Sequence, residues 1–250
     1  MAKPIRIYGF HAIQAQLKSN PEGLIRVYIL NSRNDKRLKQ ITATLASLAI
    51  DTQQVNKQQL NKLTNNQTHQ GIAAEVLPPT LPDQNAFEAY LNSLKTDALI
   101  LILDSIQDPR NLGACLRSAN AAGADCVIIN KDRSAPINAL VHKTAAGALN
   151  QLKVFQVTNL SRTIKILQAR DIWVIGLENS ANQSLYQTNL TAATAVVMGS
   201  EGSGLRVLTK KSCDQLAHIP MQGHVESLNV SVATGIALFE ANRQRHVSMA

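Results

Sequence analysis

The feature of this sequence that most constrains its fold is a continuous apolar run at residues 98–103, Ala-Leu-Ile-Leu-Ile-Leu, which ends at Asp104. A strand without polar alternation must be buried on both faces, as in a parallel sheet covered by helices. Further strands are predicted at Cys126–Asn130, Val154–Val157, Ile172–Leu177, Thr194–Gly199 and Leu216–Ile219. Helical patterns separate them at Ile137–Leu149, Leu160–Ala169 and Leu205–Lys211, and a last helix is predicted at Asn229–Arg245. This alternation predicts an α/β fold with a doubly wound parallel sheet, whose ligand sites lie at the carboxyl ends of its strands.

A proline-rich segment divides the chain. Three prolines occur within five residues at Pro78, Pro79 and Pro82, and they oppose both helix and central strand. Upstream, the pattern predicts helices at Gly9–Ser19, Asp35–Ala49 and Lys57–Leu63 and strands at Leu24–Leu30 and Gly71–Val76. We therefore predict a small α/β domain at residues 1–76, a linker and lead-in at 77–97, and a larger domain at 98–250.

The charge favours a polyanionic partner. The formal net charge is +8, and residues 1–75 hold ten Lys or Arg against four Asp or Glu. Clustered cations gain free energy by releasing counterions from phosphates, although an ordinary solvated surface would also carry such charge.

The start of the chain has no apolar region of signal-peptide length, and no stretch is long and uncharged enough to cross a bilayer, so we expect a cytoplasmic protein. Three cysteines without C-x-x-C spacing and six histidines without i, i+4 pairing predict neither disulfides nor a metal site.

The first stretch that could carry chemistry follows the apolar run. In D-P-R-N-L-G-A-C-L-R, residues 108–117, Asp108 is a natural N-cap and Pro109 suits the first helical position. Arg110 and Arg117 fall on one helical face with small residues between them, so a phosphate or ribose could approach closely. Asn111 could hold Arg117 or a substrate oxygen. The alternative is that the small residues only permit helix packing and that both arginines are solvated.

The second stretch is M-G-S-E-G-S-G-L, residues 198–205, where a predicted strand runs into a glycine-rich turn and then a helix. Its glycines permit positive φ and close approach to a ligand, and a helix start favours an anionic group. The order G-x-x-G-x-G is neither the dinucleotide fingerprint nor a P-loop, which disfavours NAD and ATP. A tight turn that needs glycine for its geometry remains the alternative.

The third stretch is H-I-P-M at residues 218–221 followed by S-L-N-V-S-V-A at residues 227–233. Ser227 is a natural N-cap for the last helix. A cap does not explain Asn229, because asparagine is an indifferent helix former beyond the cap position and there usually hydrogen-bonds elsewhere.

Together and in this order, the three stretches resemble the signature motifs of the SpoU (TrmH-like) family of RNA 2'-O-ribose methyltransferases. The resemblance implies a catalytic domain whose carboxyl end is threaded into a deep trefoil knot, an exception to the usual rule against knots. G-F-H-A-I at residues 9–13 and H-Q-G-I-A-A at residues 69–74 look like the L30e-like substrate-binding domain of longer members. Within the family, the layout is most similar to bacterial members that methylate a guanosine of 23S ribosomal RNA, which implies that substrate for this chain.

The resemblance also implies a cofactor, S-adenosylmethionine, a homodimer formed through the catalytic domains, and a set of site residues. By motif position the catalytic residues are Asn111, Arg117, Glu201, Ser227 and Asn229, and the backbone at Gly199, Ile219 and Leu228 lines the cofactor pocket. Arginine is rarely a base, so we hypothesise that Arg117 binds the phosphate beside the target ribose and stabilises alkoxide charge. Glu201 would hold the site together or accept the proton, and part of the last helix would lie at the dimer interface.

Two other functions stay open at this point. One is methylation of the ribose of a transfer RNA, and the basic domain upstream favours a large structured RNA over it. The other is a non-catalytic RNA-binding protein of ribosome assembly. The intact set of five motif residues argues against that second reading.

Overall fold

The computed structural model of the chain describes residues 4–33, 35–77, 81–94 and 97–247. Its Cα positions cluster into two compact units, Met1–Thr80 with Ile137–Lys143, and Leu81–Pro136 with Thr144–Ala250. In the described part of the chain, no helix combines the length and the apolar character that crossing a membrane requires.

The first unit is built on a four-stranded mixed sheet. Its elements are β1 (Ile5–Tyr8), α1 (Phe10–Ser19), β2 (Leu24–Leu30), α2 (Lys36–Ser47), β3 (Thr52–Val55), α3 (Lys57–Leu63) and β4 (Ile72–Val76). The strand order is β1-β4-β2-β3, in which only β2 and β3 pair in parallel. The sequence pattern predicted β2 and α3 with these bounds, whereas it missed the short strands β1 and β3.

Local capping explains where the helices of this unit begin. The Asp35 carboxylate accepts hydrogen bonds from the first amides of α2, and Asn56 and Gln59 form a reciprocal capping box at α3. Leu38, Ile41 and Leu45 of α2 recur at helical spacing and are all buried in the core against the sheet.

The second sheet has seven strands, all of them parallel to their neighbours. The elements after the proline segment are α4 (Gln84–Leu91), β5 (Leu99–Leu103), α5 (Pro109–Ala121), β6 (Cys126–Asn130), α6 (Ala139–Ala145), β7 (Lys153–Val157), α7 (Leu160–Gln168), β8 (Trp173–Leu177), β9 (Gln183–Ser184), β10 (Thr194–Met198), α8 (Val207–Ser212), β11 (Gln215–His218) and α9 (Val230–Val247). Their order in the sheet is β7-β6-β5-β10-β8-β11-β9. The predicted α/β fold with a parallel sheet is confirmed.

The centre of this sheet is its core. Every residue of β5, β6 and β10 is buried, because helices or loops cover both faces. Each such Ile, Leu or Val stabilises the fold by roughly 1.5–3 kcal/mol relative to an exposed side chain. The rigid sheet fixes the carboxyl ends of β5, β8 and β10, and the loops that matter for function begin there.

Helices α5 and α9 lie side by side and run in the same direction. The Cys115 thiol is 3.4 Å from the Thr234 hydroxyl, and two turns further along Asn242 Nδ2 donates to the Ala122 carbonyl at 2.7 Å. These contacts bring the amino-terminal ends of the two helices together. The first and third sequence motifs therefore meet in space.

One predicted helix differs in the structure. The helix predicted at Ile137–Leu149 is broken, because Ala146 and Gly147 adopt left-handed conformations with φ of 49° and 93°, and only a 3-10 turn follows. The stretch 77–97, for which a linker and lead-in were predicted, contains α4, whose Phe87 and Leu91 are buried in the second core. Residues 78–80, with two of the three prolines, lie outside the described residues.

Candidate active site

The glycine-rich loop after β10 closes on itself. Ser200 and Gly204 exchange backbone hydrogen bonds of 3.1 and 3.0 Å. A Cβ atom on Gly199 would lie 2.1 Å from the carbonyl carbon of Gly204, so no side chain fits there. Gly202 and Gly204 have positive φ, which an L side chain rarely adopts. Glycine at residue 199 is thus required by closure of the loop, and the closed loop carries Glu201 at its tip.

A buried ion pair anchors the end of this loop. Asp104 directly follows β5, has 0% exposure, and accepts a 2.6 Å hydrogen bond from Nε of Arg206. The Ser105 hydroxyl donates to the same oxygen, Oδ1, at 3.0 Å, and Oδ2 accepts from the Arg206 backbone amide at 3.2 Å. Leu205, the residue between loop and anchor, is buried in the core. The loop therefore leaves the end of β10 and is held at the end of the neighbouring strand β5 by the contact between Arg206 and Asp104.

A cavity of about 520 Å³ opens at the carboxyl ends of β8, β10 and β11 and at the start of α9. It is lined by Leu177, Glu178, Asn179, residues 198–204, Ile219, Met221 and residues 226–230, with Ala233. One wall is apolar and another carries the Glu178 carboxylate, which forms an ion pair with Lys210 at 2.7 Å. The volume of this cavity and its mixture of apolar and polar lining residues suit a ligand of cofactor size.

A side-chain network stands at the edge of this cavity. Asn229 Nδ2 donates to Glu201 Oε1 at 2.6 Å and to Asn111 Oδ1 at 3.0 Å. Asn229 Oδ1 in turn accepts from the Ser231 amide at 2.9 Å and from its hydroxyl. The orientation of the Asn229 amide is fixed from both ends, so it joins the three motifs at one point.

A second cavity of about 290 Å³ lies on the other side of the same loop. It is lined by Ile106, Gln107, Asp108, Asn111, Ser200, Glu201, Ser203 and Val230. Ser200, Glu201, Ser203 and Val230 line both cavities, so this wall separates them. Glu201 therefore lies within reach of a ligand in either cavity.

Comparison with known proteins identifies this architecture. Residues 98–239 match the SpoU rRNA Methylase family, and residues 6–82 match the family described as RNA 2'-O ribose methyltransferase substrate binding. The chain belongs to the SpoU rRNA methylase family.

A curated SpoU relative is similar over nearly its whole length. The chain is 48% identical over 239 residues to the 23S rRNA (guanosine-2'-O-)-methyltransferase RlmB of Photorhabdus laumondii, covering 96% of this chain and 98% of the relative. The RlmB protein of Escherichia coli K12 is similar to the same extent. Among solved structures, the SpoU methyltransferase AviRb of Streptomyces viridochromogenes, in complex with AdoMet, superposes with a TM-score of 0.80 at 23% identity, over 97% of this chain and 91% of AviRb. This last likeness concerns the fold alone.

The structure brings most of the SpoU motif residues together. Glu201, Ser227 and Asn229 line the larger cavity, as do Gly199, Ile219 and Leu228. Asn111 lines the smaller one. The prediction that Ser227 caps the last helix is wrong, since α9 begins at Val230 and Asn229 occupies the capping position. Asn229 therefore fills the capping role that had been assigned to Ser227.

Arg117 stands apart from this group. It lies about 9 Å further along α5 than Asn111, at 1.5 Å of rise per residue, and lines neither cavity. Its side chain is exposed and makes no hydrogen bond or ion pair within the described part of the chain. Asn111 bonds Asn229 instead of Arg117. The guanidinium is thus available to an external anion, and it is not brought into contact with Glu201.

Sequence reasoning missed the Asp104–Arg206 pair. Asp104 was treated only as the end of a strand, and Arg206 was not singled out at all. A signal was present, because a carboxylate that directly follows five fully apolar strand residues is forced to be buried, and a buried charge requires a partner.

Proposed function

We propose that this chain is an S-adenosylmethionine-dependent methyltransferase that methylates the ribose 2'-hydroxyl of a guanosine in 23S ribosomal RNA. The observation that carries the proposal is 48% identity to enzymes of that name over nearly the full length of both chains. The meeting of all three motifs at the Asn229 network supports it, because an inactive relative would have no need to keep that network.

The larger cavity fits the cofactor. Its apolar residues Ile219 and Leu228 suit a flat adenine ring, and the Glu178 carboxylate suits the hydroxyl groups of a ribose. When bound, S-adenosylmethionine supplies an electrophilic methyl group on a positively charged sulfur. The match to the SpoU rRNA Methylase family supports this cofactor, and two structures of the same fold, AviRb and the Sinorhizobium meliloti rRNA methyltransferase, have been solved with AdoMet bound.

The chain's own residues then position the acceptor. Asn229 holds the Glu201 carboxylate at the wall shared by both cavities, where it can hold the ribose hydroxyl or accept its proton. Asn111 and Ser227 complete the polar surroundings of that hydroxyl. Arg117, which is exposed and has no partner among the described residues, binds the adjacent phosphate and stabilises developing negative charge.

The domain assignment forms part of the proposal. We assign residues 1–76 to an L30e-like RNA-binding domain, 77–97 to a linker and lead-in, and 98–250 to a catalytic domain with a trefoil knot. The four-stranded mixed sheet of the first unit supports the assignment of an L30e-like domain. The insertion of β10 between the earlier strands β5 and β8 supports the assignment of a catalytic domain with a trefoil knot. The enzyme would act in the cytoplasm, where ribosomal RNA is modified.

A homodimer is supported by an unpartnered face of α9. Val232 and Phe239 are seven residues apart, which places them on one helical face, and they are 50% and 51% exposed. A second copy of the catalytic domain would bury this face. Light scattering should give twice the chain mass, and Phe239→Glu should shift the mass to that of a monomer.

The decisive assay uses purified protein, S-adenosylmethionine with a labelled methyl group, and 23S ribosomal RNA. Arg117→Ala should abolish transfer while calorimetry shows nearly unchanged cofactor affinity. Arg170→Ala, which removes another exposed arginine of the second unit, is the matched control and should transfer normally. A collapse of cofactor affinity in Arg117→Ala would refute the division of roles, and label on transfer RNA alone would refute the substrate.

A further inference from the structure

Three separated segments of the first unit meet at one corner, and the cofactor site uses none of them. The Phe10 amide donates to the Gln70 side chain at 3.2 Å. The Arg33 guanidinium donates to the Gln70 backbone carbonyl. Residues of the motifs G-F-H-A-I and H-Q-G-I therefore meet Arg33 and Arg37 at one surface.

Two guanidinium groups cover one aromatic ring at this corner. The Cζ atoms of Arg33 and Arg37 lie 4.7 and 4.8 Å from the centroid of the Phe10 ring, which is itself only 1% exposed. The negative face of an aromatic ring attracts cations and holds them in place. The pair, here called the arginine pair, is thus held on a buried platform at the protein surface.

The charge of the arginine pair is only partly compensated. Asp35 forms an ion pair with Arg33, and the same carboxylate also caps α2 by accepting from the amides of Arg37 and Leu38. The partner of the Arg37 side chain is the neutral amide of Gln14, at 3.3 Å. One carboxylate therefore faces two guanidiniums and a helix amino terminus.

The other arginines of the described first unit are differently placed. Arg6 is paired with Glu75 at 3.0 Å, and Arg26 with Asp51 at 2.6 Å. Each has its own carboxylate and no aromatic platform. Lys36 and Lys39, both exposed, add further positive charge beside the arginine pair. Residues 33–39 thus hold four of the ten Lys and Arg of residues 1–75, against the single carboxylate of Asp35.

We infer that Arg33 and Arg37 form a phosphate-binding subsite for the backbone of the substrate RNA, on the first unit and separate from the methyl-transfer site. A guanidinium with a fixed position and unused donors suits a phosphate, because its planar fork bonds two oxygens at once. Pre-ordering on Phe10 reduces the entropy that binding would otherwise cost. The inference rests on the proposed function for the identity of the RNA.

The test measures binding of a labelled 23S ribosomal RNA fragment to the full chain, without cofactor, from 50 to 200 mM salt. Loss of one phosphate contact should reduce the logarithmic salt slope by about 0.7–0.9, which weakens binding roughly five- to eightfold at 0.1 M salt. Arg37→Ala should show both effects. Arg26→Ala, which removes an arginine with its own carboxylate, should stay within about twofold of the wild type.

Arg37→Gln guards against loss of folding, because glutamine keeps part of the stem and can still reach Gln14. It should fold and show the same reduced slope. An unchanged slope in both Arg37 variants would overturn the inference and leave an acidic protein surface as the partner that the arginine pair fits.

The outcome is separable from that of the proposed function. If the wild type transfers methyl groups, Arg37→Ala should raise the KM for RNA and leave kcat and cofactor affinity unchanged. If the wild type transfers none but Arg37→Ala still loses RNA affinity, the proposed function fails and the subsite stands. Normal turnover with unchanged RNA affinity in both variants removes the subsite alone.

Discussion

The anchor of the glycine loop gives a sharp stability prediction. Arg206→Ala leaves the Asp104 carboxylate, which has 0% exposure, without its cation. Removal of one partner of a buried ion pair typically costs about 3–5 kcal/mol. Two hydrogen bonds to Asp104 survive in the variant, from the residue 206 amide and the Ser105 hydroxyl. The Arg206 side chain is also 38% exposed, so water can enter its place.

These facts favour the lower end of that range, so we expect a loss of about 3 kcal/mol in the free energy of unfolding. That corresponds to roughly a hundredfold change in the unfolding equilibrium, and to a decrease in Tm of about 6–12 °C for a unit of this size. The loop that carries Glu201 should loosen as well, which should weaken cofactor binding.

The assay is urea unfolding followed by tryptophan fluorescence. The chain has one tryptophan, Trp173 in β8, so the signal reports the second unit alone. Arg162→Ala is the matched control, because its pair with Glu88 spans 3.8 Å and has exposed partners of 69% and 37%. It should cost under about 1 kcal/mol.

The double variant Asp104→Asn with Arg206→Ala should recover part of the lost stability, since it removes the stranded charge. If Arg206→Ala is no more destabilised than Arg162→Ala, the buried pair is not the anchor of the loop and this reasoning is refuted.

Three further predictions follow from single residues. Gly199→Ala should abolish cofactor binding in calorimetry, because its Cβ would collide with the loop backbone. Gly202→Ala has open space around its Cβ and should cost only about 1 kcal/mol of backbone strain. Equal effects of the two variants on cofactor binding would contradict this prediction. Burial raises the pKa of Cys115 to about 11 and that of Cys213 to about 12, so neither thiol should react with a disulfide reagent at pH 8 until the chain is unfolded in urea, and rapid native labelling of either would disprove it. Burial lowers the pKa of His69 below its usual 6.5, so His69 binds a proton more readily in the unfolded chain than in the folded chain. The stability of the first unit should therefore fall as the pH drops below about 6.5. His69→Gln should flatten that decline in thermal melts between about pH 5 and 8.

Elements with an apolar run or a clear helical spacing could be predicted from the sequence, and elements without such a pattern could not. β6 and α3 have the predicted bounds because apolar runs and helical spacing report burial directly. β3 has only one buried residue of its four, so no alternation marks it. α4 was hidden by the prolines before it, although its Asp83 N-cap is a readable start signal.

The residues of the site could be named from motifs, but their connections could not. Spacing along the chain suggested that Asn111 could hold either Arg117, which lies on the same helix, or a substrate oxygen. The structure connects Asn111 to Asn229 instead, across 118 positions of sequence. That contact depends on the parallel packing of α5 and α9, which periodicity within either helix does not determine.

Ribose methylation at this site can be examined by nucleoside analysis of 23S ribosomal RNA after incubation with the purified chain and S-adenosylmethionine. We expect one new modified nucleoside, 2'-O-methylguanosine, which Glu201→Ala and Asn229→Ala fail to form. A methyl group on a base, or full activity in both variants, would contradict the claim that the Asn229 network carries ribose methylation.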